Sequence, residues 1–135
     1  MNHAHLTLAY WCVLVAALLP IVCVGLAKAT GAGKPLRHGG YDNGDPRSWL
    51  AGQTGWRARA DRAHANGFEA LPFFIGAVVI AHQIGAEQGR LDTLACTYIG
   101  LRLAYIGCYL AGWSSARSVV WVSALAVNIA IFLPA

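Results

Sequence analysis

The sequence predicts an all-α membrane protein, a bundle of four transmembrane helices. Three observations carry this prediction. First, 57% of the 135 residues are hydrophobic and only 12% are charged, about half the charge of an ordinary soluble domain. A soluble core of this size could not hide so much apolar surface, and the length allows one domain. Second, the apolar residues gather into runs long enough to cross a hydrocarbon core, which takes about 20 residues of helix. Third, seven of the ten Lys and Arg residues lie between Lys28 and Arg62, between two apolar runs. That clustering fits a membrane-orientation signal better than a nucleic-acid-binding face, despite the net charge of +4. The composition also excludes disorder.

The spans follow in order. Residues 6–27 contain no charged side chain and qualify outright. This run is too long for the apolar part of a signal peptide and no Lys or Arg precedes it, so it reads as a retained helix. The next apolar stretch, Leu71 to Ile84, is too short alone. A helix over 58–84 is long enough and carries Arg62, His64, Asn66 and Glu69 in its first turns. A third span covers 94–112 with Arg102 near its middle, and a fourth covers 115–134. The loop 28–57 holds Lys28, Lys34, Arg37, Arg47 and Arg57, with Arg59 and Arg62 just beyond it, and the last turn adds Arg117 on the same side. The opposite side has Arg90 alone. Eight basic residues against one predict a cytoplasmic loop with both termini outside. A loop of this length without obvious structure is either functional or disordered. Asp42, Asn43 and Asp45 suit turns and helix caps, and Pro46 sets a rigid corner; the plainest reading is an interfacial connector.

Several motifs are set aside. Gly31-Ala32-Gly33-Lys34 lacks the first glycine of a phosphate-binding loop, which would fall at Lys28, and has Pro35 at the Ser/Thr position. His3 and His5 have no third ligand at suitable spacing for a metal site. Cys12, Cys23, Cys96 and Cys108 form no Cys-x-x-Cys pair and read as small packing residues rather than redox centres or a disulfide framework. Ala77, Ala81 and Gly85 recur every four residues, a small stripe that lets helices approach closely.

Two polar faces remain. Arg62, Asn66 and Glu69 share one face of the second span, with Arg59 a turn earlier and Pro72 expected to kink the helix just beyond. Arg102, Tyr105 and Tyr109 share a face of the third, with Tyr98 a turn before. Charged groups at membrane depth are costly, so both faces are expected to point inward and meet. One reading is a buried Glu69–Arg102 ion pair completed by tyrosine hydroxyls. The other is an anion site, since Arg59, Arg62, Arg102 and Arg117 surround a single Glu69. Arginine forks match carboxylates and Glu69 suits an ammonium. A ligand with two carboxylates, an amine and a reactive group, such as glutathione, satisfies that set. A cationic site also favours thiolate over thiol.

Arg62-Ala63-His64-Ala65-Asn66-Gly67-Phe68-Glu69, followed by Pro72-Phe73-Phe74, resembles the Arg-Ala-x-x-Asn-x-x-Glu signature of the MAPEG family, the membrane-associated proteins in eicosanoid and glutathione metabolism. Arg102-x-x-Tyr105-x-x-x-Tyr109 and then Arg117-Ser118 resemble the family's third helix and the start of its fourth. Tyr41-Asp42-Asn43-Gly44-Asp45-Pro46-Arg47 is similar to its bacterial branch, which implies a bacterial inner membrane. The resemblance implies a homotrimer that binds glutathione as cosubstrate between neighbouring subunits. Arg62, Asn66 and Glu69 would hold the peptide, while Arg102, Tyr105 and Tyr109 would line the site. Arg117 would activate the thiol, and Ser118 matches a serine proposed to act on the sulfur. The implied activity is that of a glutathione-dependent transferase or peroxidase acting on apolar electrophiles or lipid hydroperoxides that enter from the lipid. The alternative is a non-catalytic membrane trimer that binds lipid or a partner protein. Departures from the pattern are Ala65 where some members have arginine, Tyr105 where one subfamily has histidine, and a Tyr109-to-Arg117 spacing shifted by about a residue. Lys28 stands near the position of a basic residue late in the family's first helix, but a lysine cannot make arginine's bidentate contact.

Overall fold

Thr7 opens the first helix by accepting a hydrogen bond from the Tyr10 backbone N–H at 3.3 Å, the usual N-terminal capping device. In the computed structural model, which describes residues 5–133, this helix, α1, runs Leu8–Gly31. Then come a 3₁₀ turn at Leu36–His38, a short helix α2 at Pro46–Ala51, and three long helices: α3 at Gly55–Gln83, α4 at Gln88–Ala111 and α5 at Ser114–Phe132. The described residues contain no strand. α1, α3, α4 and α5 are each long and apolar enough to cross a membrane. His3 and Pro134 lie outside the described residues.

α4 begins at Gln88 rather than Leu94, because the Glu87 carboxylate accepts from the backbone N–H groups of Gly89 and Arg90 at 2.8 and 2.6 Å. The long loop is folded rather than featureless. Asp42 accepts from Gly44 N–H at 2.8 Å, Asp45 caps α2, and Pro46 occupies its first turn. Trp49 of α2 then lies against Gly31, where an added Cβ would stand 2.5 Å from the indole.

α1 packs mainly on α3, and α4 mainly on α5. One buried cluster joins Ala9, Cys12 and Ala16 of α1 to Phe74, Ala77, Val78 and Ala81 of α3 and to Leu91, Ala95 and Tyr98 of α4. A second, at the loop end, joins Cys23, Val24 and Ala27 to Leu50, Ala60 and Ala63. Ala77 and Ala81 thus form the small packing stripe, but Gly85 does not belong to it. It lies past the end of α3 at φ +72°, in the left-handed turn that leads to α4. α3 is continuous through Pro72. It packs closely on α1 at Gly67, which lies against the Pro20 ring. Cys12 and Cys23 are buried, whereas Cys96 is exposed, with its sulfur 3.8 Å from that of Cys12.

Three arginines close helix C-termini. Arg57 donates to Thr30 Oγ1 at 2.8 Å and to the Thr30 carbonyl at 3.5 Å, Arg59 to the Leu110 carbonyl at 3.1 Å, and Arg90 to the Ala130 and Leu133 carbonyls at 2.8 and 3.2 Å. Each places positive charge on carbonyls that have no partner within their own helix.

Candidate functional site: a cleft between three helices

The polar faces of α3 and α4 meet, but through a different pair from the one the charges suggested. Arg102, 5% exposed, donates from Nη2 to Asn66 Oδ1 at 3.0 Å. Glu69 forms no ion pair or hydrogen bond among the described residues and stands exposed on α3. Asn66 lies almost a turn nearer the loop than Glu69, on the side towards which the guanidinium extends, over Tyr105 one turn further along α4. The guanidinium stands 4.5 Å from the centroid of that ring, a favourable placement for a cation. Tyr105 and Tyr109 meet edge to face at 5.6 Å, and Arg117 lies over Tyr109 at 4.5 Å. The result is a chain of contacts from α4 to α5 in which two tyrosine rings, edge to face, lie between two guanidiniums.

The tight turn between α4 and α5 sets the position of Arg117. Gly112 adopts φ +78°, and Trp113 N–H returns to the Cys108 carbonyl at 2.9 Å, the hydrogen-bond pattern of a glycine-ended helix. Only two residues therefore separate α4 from α5, and Arg117 turns back over Tyr109.

Two clefts open between these helices. One, of about 280 Å³, is lined by Asn66, Tyr105, Tyr109, Arg117, Ser118 and Trp121. The other, of about 210 Å³, is lined by Asn66, Glu69, Phe73, Tyr98, Arg102, Trp121, Leu125 and Asn128, among others. They share Asn66 and Trp121, so one groove carries Arg117 and Ser118 towards the loop end and Glu69 and Arg102 deeper. Seven of the eight candidate residues thus line this groove; Arg62 does not. It stands exposed on α3, two turns nearer the loop than Glu69. Arg59 is not a free cation of the site, because it closes the end of α4. Lys28 lies 5.7 Å from the centroid of the Tyr41 ring and is likewise absent from the groove lining. Ser118 donates its hydroxyl proton to the Ser114 carbonyl at 3.1 Å, which leaves its oxygen as an acceptor.

Trp121 and Asn128 were not among the candidates. Both fall on the face of α5 that starts at Arg117, with Ala124 and Leu125 between them. That spacing was a usable signal, as was a lone amide in an apolar span. Among the described residues no group of three or more His, Cys, Asp or Glu side chains is placed to hold a metal ion.

The fold and site define an integral, multi-pass membrane protein whose helices enclose a cationic, tyrosine-lined groove. The chain matches the model of the MAPEG family over residues 8–135 and belongs to that family, which is generally associated with glutathione. No curated protein and no solved structure matches the chain.

Proposed function

We propose that this protein is a glutathione-dependent membrane transferase or peroxidase, working as a homotrimer on apolar electrophiles or lipid hydroperoxides. The observation that carries the reading is the groove itself. It joins an unpaired carboxylate, Glu69, to two guanidiniums, Arg102 and Arg117, at opposite ends of a polar wall. Glutathione offers an ammonium for Glu69 and carboxylates for the arginines, with Asn66 between them. Exposed Arg62 and Glu69 share a face of α3, and in a trimer a neighbouring subunit would bring that face into the site.

Arg117 supplies the chemistry. A guanidinium beside the thiol lowers its pKa, so that the proton leaves to water and the thiolate remains. The sulfur lone pair then attacks an electrophilic carbon and the leaving group departs. With a hydroperoxide it attacks the terminal oxygen, giving a sulfenic acid and an alkoxide that takes a proton. A second glutathione thiol converts the sulfenic acid to the disulfide and releases water. Ser118, its proton engaged by the Ser114 carbonyl, would accept a hydrogen bond from the thiol before ionisation rather than donate to the thiolate.

Calorimetric titration with reduced glutathione tests the reading. Binding tighter than ~1 mM, about −4 kcal/mol, is expected, weakened in Glu69→Gln and lost in turnover more than in affinity for Arg117→Ala. Wild-type kinetics in both variants would sink this mechanism. The alternative, a non-catalytic trimer that binds lipid or a partner protein, rests on the same exposed Arg62 and Glu69 acting as interface polar groups. It requires that Glu69→Gln lower trimer stability whether or not glutathione is present, and a variant trimer as heat-resistant as wild type counts against it.

A further inference from the structure

Cys12 and Cys96 stand apart from the groove, since neither lines either cleft. Their sulfurs are 3.8 Å apart, across the contact between α1 and α4. Cys12 is buried but Cys96 is exposed, so Cys96 is not the packing residue that the sequence suggested. The pair lies just inward of a polar belt at the end of the bundle opposite the long loop. There Asp92 accepts from the Ala9 backbone N–H at 2.9 Å and from the Gln88 side-chain amide at 2.7 Å, and Thr7 Oγ1 and His82 Nε2 share a hydrogen bond at 2.8 Å. Cys96 follows Asp92 by four residues and Cys12 follows Leu8 by four, which sets each thiol roughly 6 Å along its helix from the belt. On the orientation that the charge bias predicts, this end faces outside, where disulfides persist.

We infer that Cys12 and Cys96 are a redox-active thiol pair, which a hydroperoxide carried in the membrane converts to a disulfide tying α1 to α4. An exposed thiol with a second thiol in contact is the arrangement in which a sulfenic acid goes on to a disulfide. The Cys96 sulfur attacks the terminal oxygen of the hydroperoxide, and the O–O bond breaks. Cys96 becomes a sulfenic acid, and its former thiol proton ends on the departing alkoxide, giving an alcohol. The Cys12 sulfur then attacks the Cys96 sulfur, the S–O bond breaks, and the hydroxide takes the Cys12 proton and leaves as water. Two electrons thus pass from the two thiols to one O–O bond. A disulfide is about 2.05 Å long, so the sulfurs close by roughly 1.8 Å. Depth selects the oxidant: a hydroperoxide group on an acyl chain is polar and settles near the water boundary, where Cys96 is exposed. α1 packs mainly on α3, and α4 mainly on α5, so the new bond joins the two helix pairs whose facing walls form the groove. None of this rests on the glutathione reading.

The test is oxidation of the full chain in lipid nanodiscs by cumene hydroperoxide, with no glutathione present. Remaining thiols are alkylated under denaturing conditions, and the peptides are read by mass spectrometry. The wild type is expected to lose alkylation equally at Cys12 and Cys96, about tenfold more than at buried Cys23, and to yield the Cys12–Cys96 disulfide peptide. In Cys12→Ser the reaction should stop at the Cys96 sulfenic acid, which dimedone traps. In Cys96→Ser, Cys12 should stay reduced. The oxidised wild type should withstand a higher fraction of sodium dodecyl sulfate than the reduced protein, a difference that dithiothreitol abolishes. Full alkylation of both cysteines after peroxide treatment overturns the inference without any variant, and so does a disulfide that joins only separate copies of the chain. Oxidation of Cys12 in Cys96→Ser at the wild-type rate would overturn Cys96 as the thiol attacked.

Discussion

Asn66→Ala removes the oxygen that accepts from Arg102 at 3.0 Å. Arg102 is 5% exposed, and it also lies over the face of Tyr105 at 4.5 Å. A hydrogen bond to a charged group contributes about 1.5–3 kcal/mol, while the ring's attraction is unchanged by the substitution. The expected loss is therefore about 2 kcal/mol, roughly a thirtyfold rise in the unfolded fraction. Unfolding of the detergent-solubilised protein by sodium dodecyl sulfate, followed by circular dichroism, measures it without any ligand. A double-mutant cycle isolates the pair: in an Arg102→Leu background, Asn66→Ala should cost less than about 0.5 kcal/mol. An equal cost in both backgrounds would refute the assignment of Asn66 as Arg102's partner and with it the geometry of the groove.

Gly67→Ala places a Cβ 2.6 Å from Pro20 Cγ and should destabilise the protein by about 1–3 kcal/mol through overpacking; an unchanged unfolding midpoint would mean that α1 and α3 are less closely packed. Arg59→Met should cost about 1 kcal/mol and speed amide exchange around the Gly112 turn, since the Leu110 carbonyl loses its donor; unaltered exchange there would remove Arg59's capping role. Hydrogen bonding from Ser48, its side chain first and its backbone N–H second, holds the Asp45 carboxyl below the usual carboxylate range. The cap on α2 is thus fully present above the ordinary carboxylate pKa and is lost as pH falls through the lowered one. Exchange at the Ser48 amide should accelerate across that window in wild type and show no such step in Asp45→Asn.

Hydropathy made the four spans legible because a bilayer demands long apolar runs whatever the tertiary arrangement. It failed at the start of α4, where Gln88, Gly89 and Arg90 form a polar first turn held by Glu87. At a water boundary such a turn has the composition of a loop. In the long connection, Asp45 and Pro46 read as a cap and a corner because capping is local, but the short helix α2 that they open was not predicted, and the seat of Trp49 on Gly31 depends on two segments meeting. Periodicity placed Asn66, Glu69 and Arg102 on facing surfaces but did not choose between the partners Arg102 could reach. The amide was chosen over the carboxylate by a difference of less than one helical turn. Arg59 shared the α3 face by spacing, but the carbonyl end of α4 lies close enough to take its donor. Asn128 stood in plain view as an amide in an apolar span, yet only the packing of α5 showed that its oxygen is unpartnered.

The arginines at 57 and 59 answer to two demands that act at different times. During biogenesis, cationic flanks bias which way a helix threads into the bilayer, and a lysine serves that purpose as well as an arginine. In the finished protein the same side chains tie carbonyl ends together across neighbouring segments, where the planar, multidentate donor has no lysine equivalent. Arg90, the single cation against the charge bias, has only the second role and closes the end of α5. A substitution series at these positions scored for insertion would therefore rank residues differently from one scored for the lifetime of the assembled bundle.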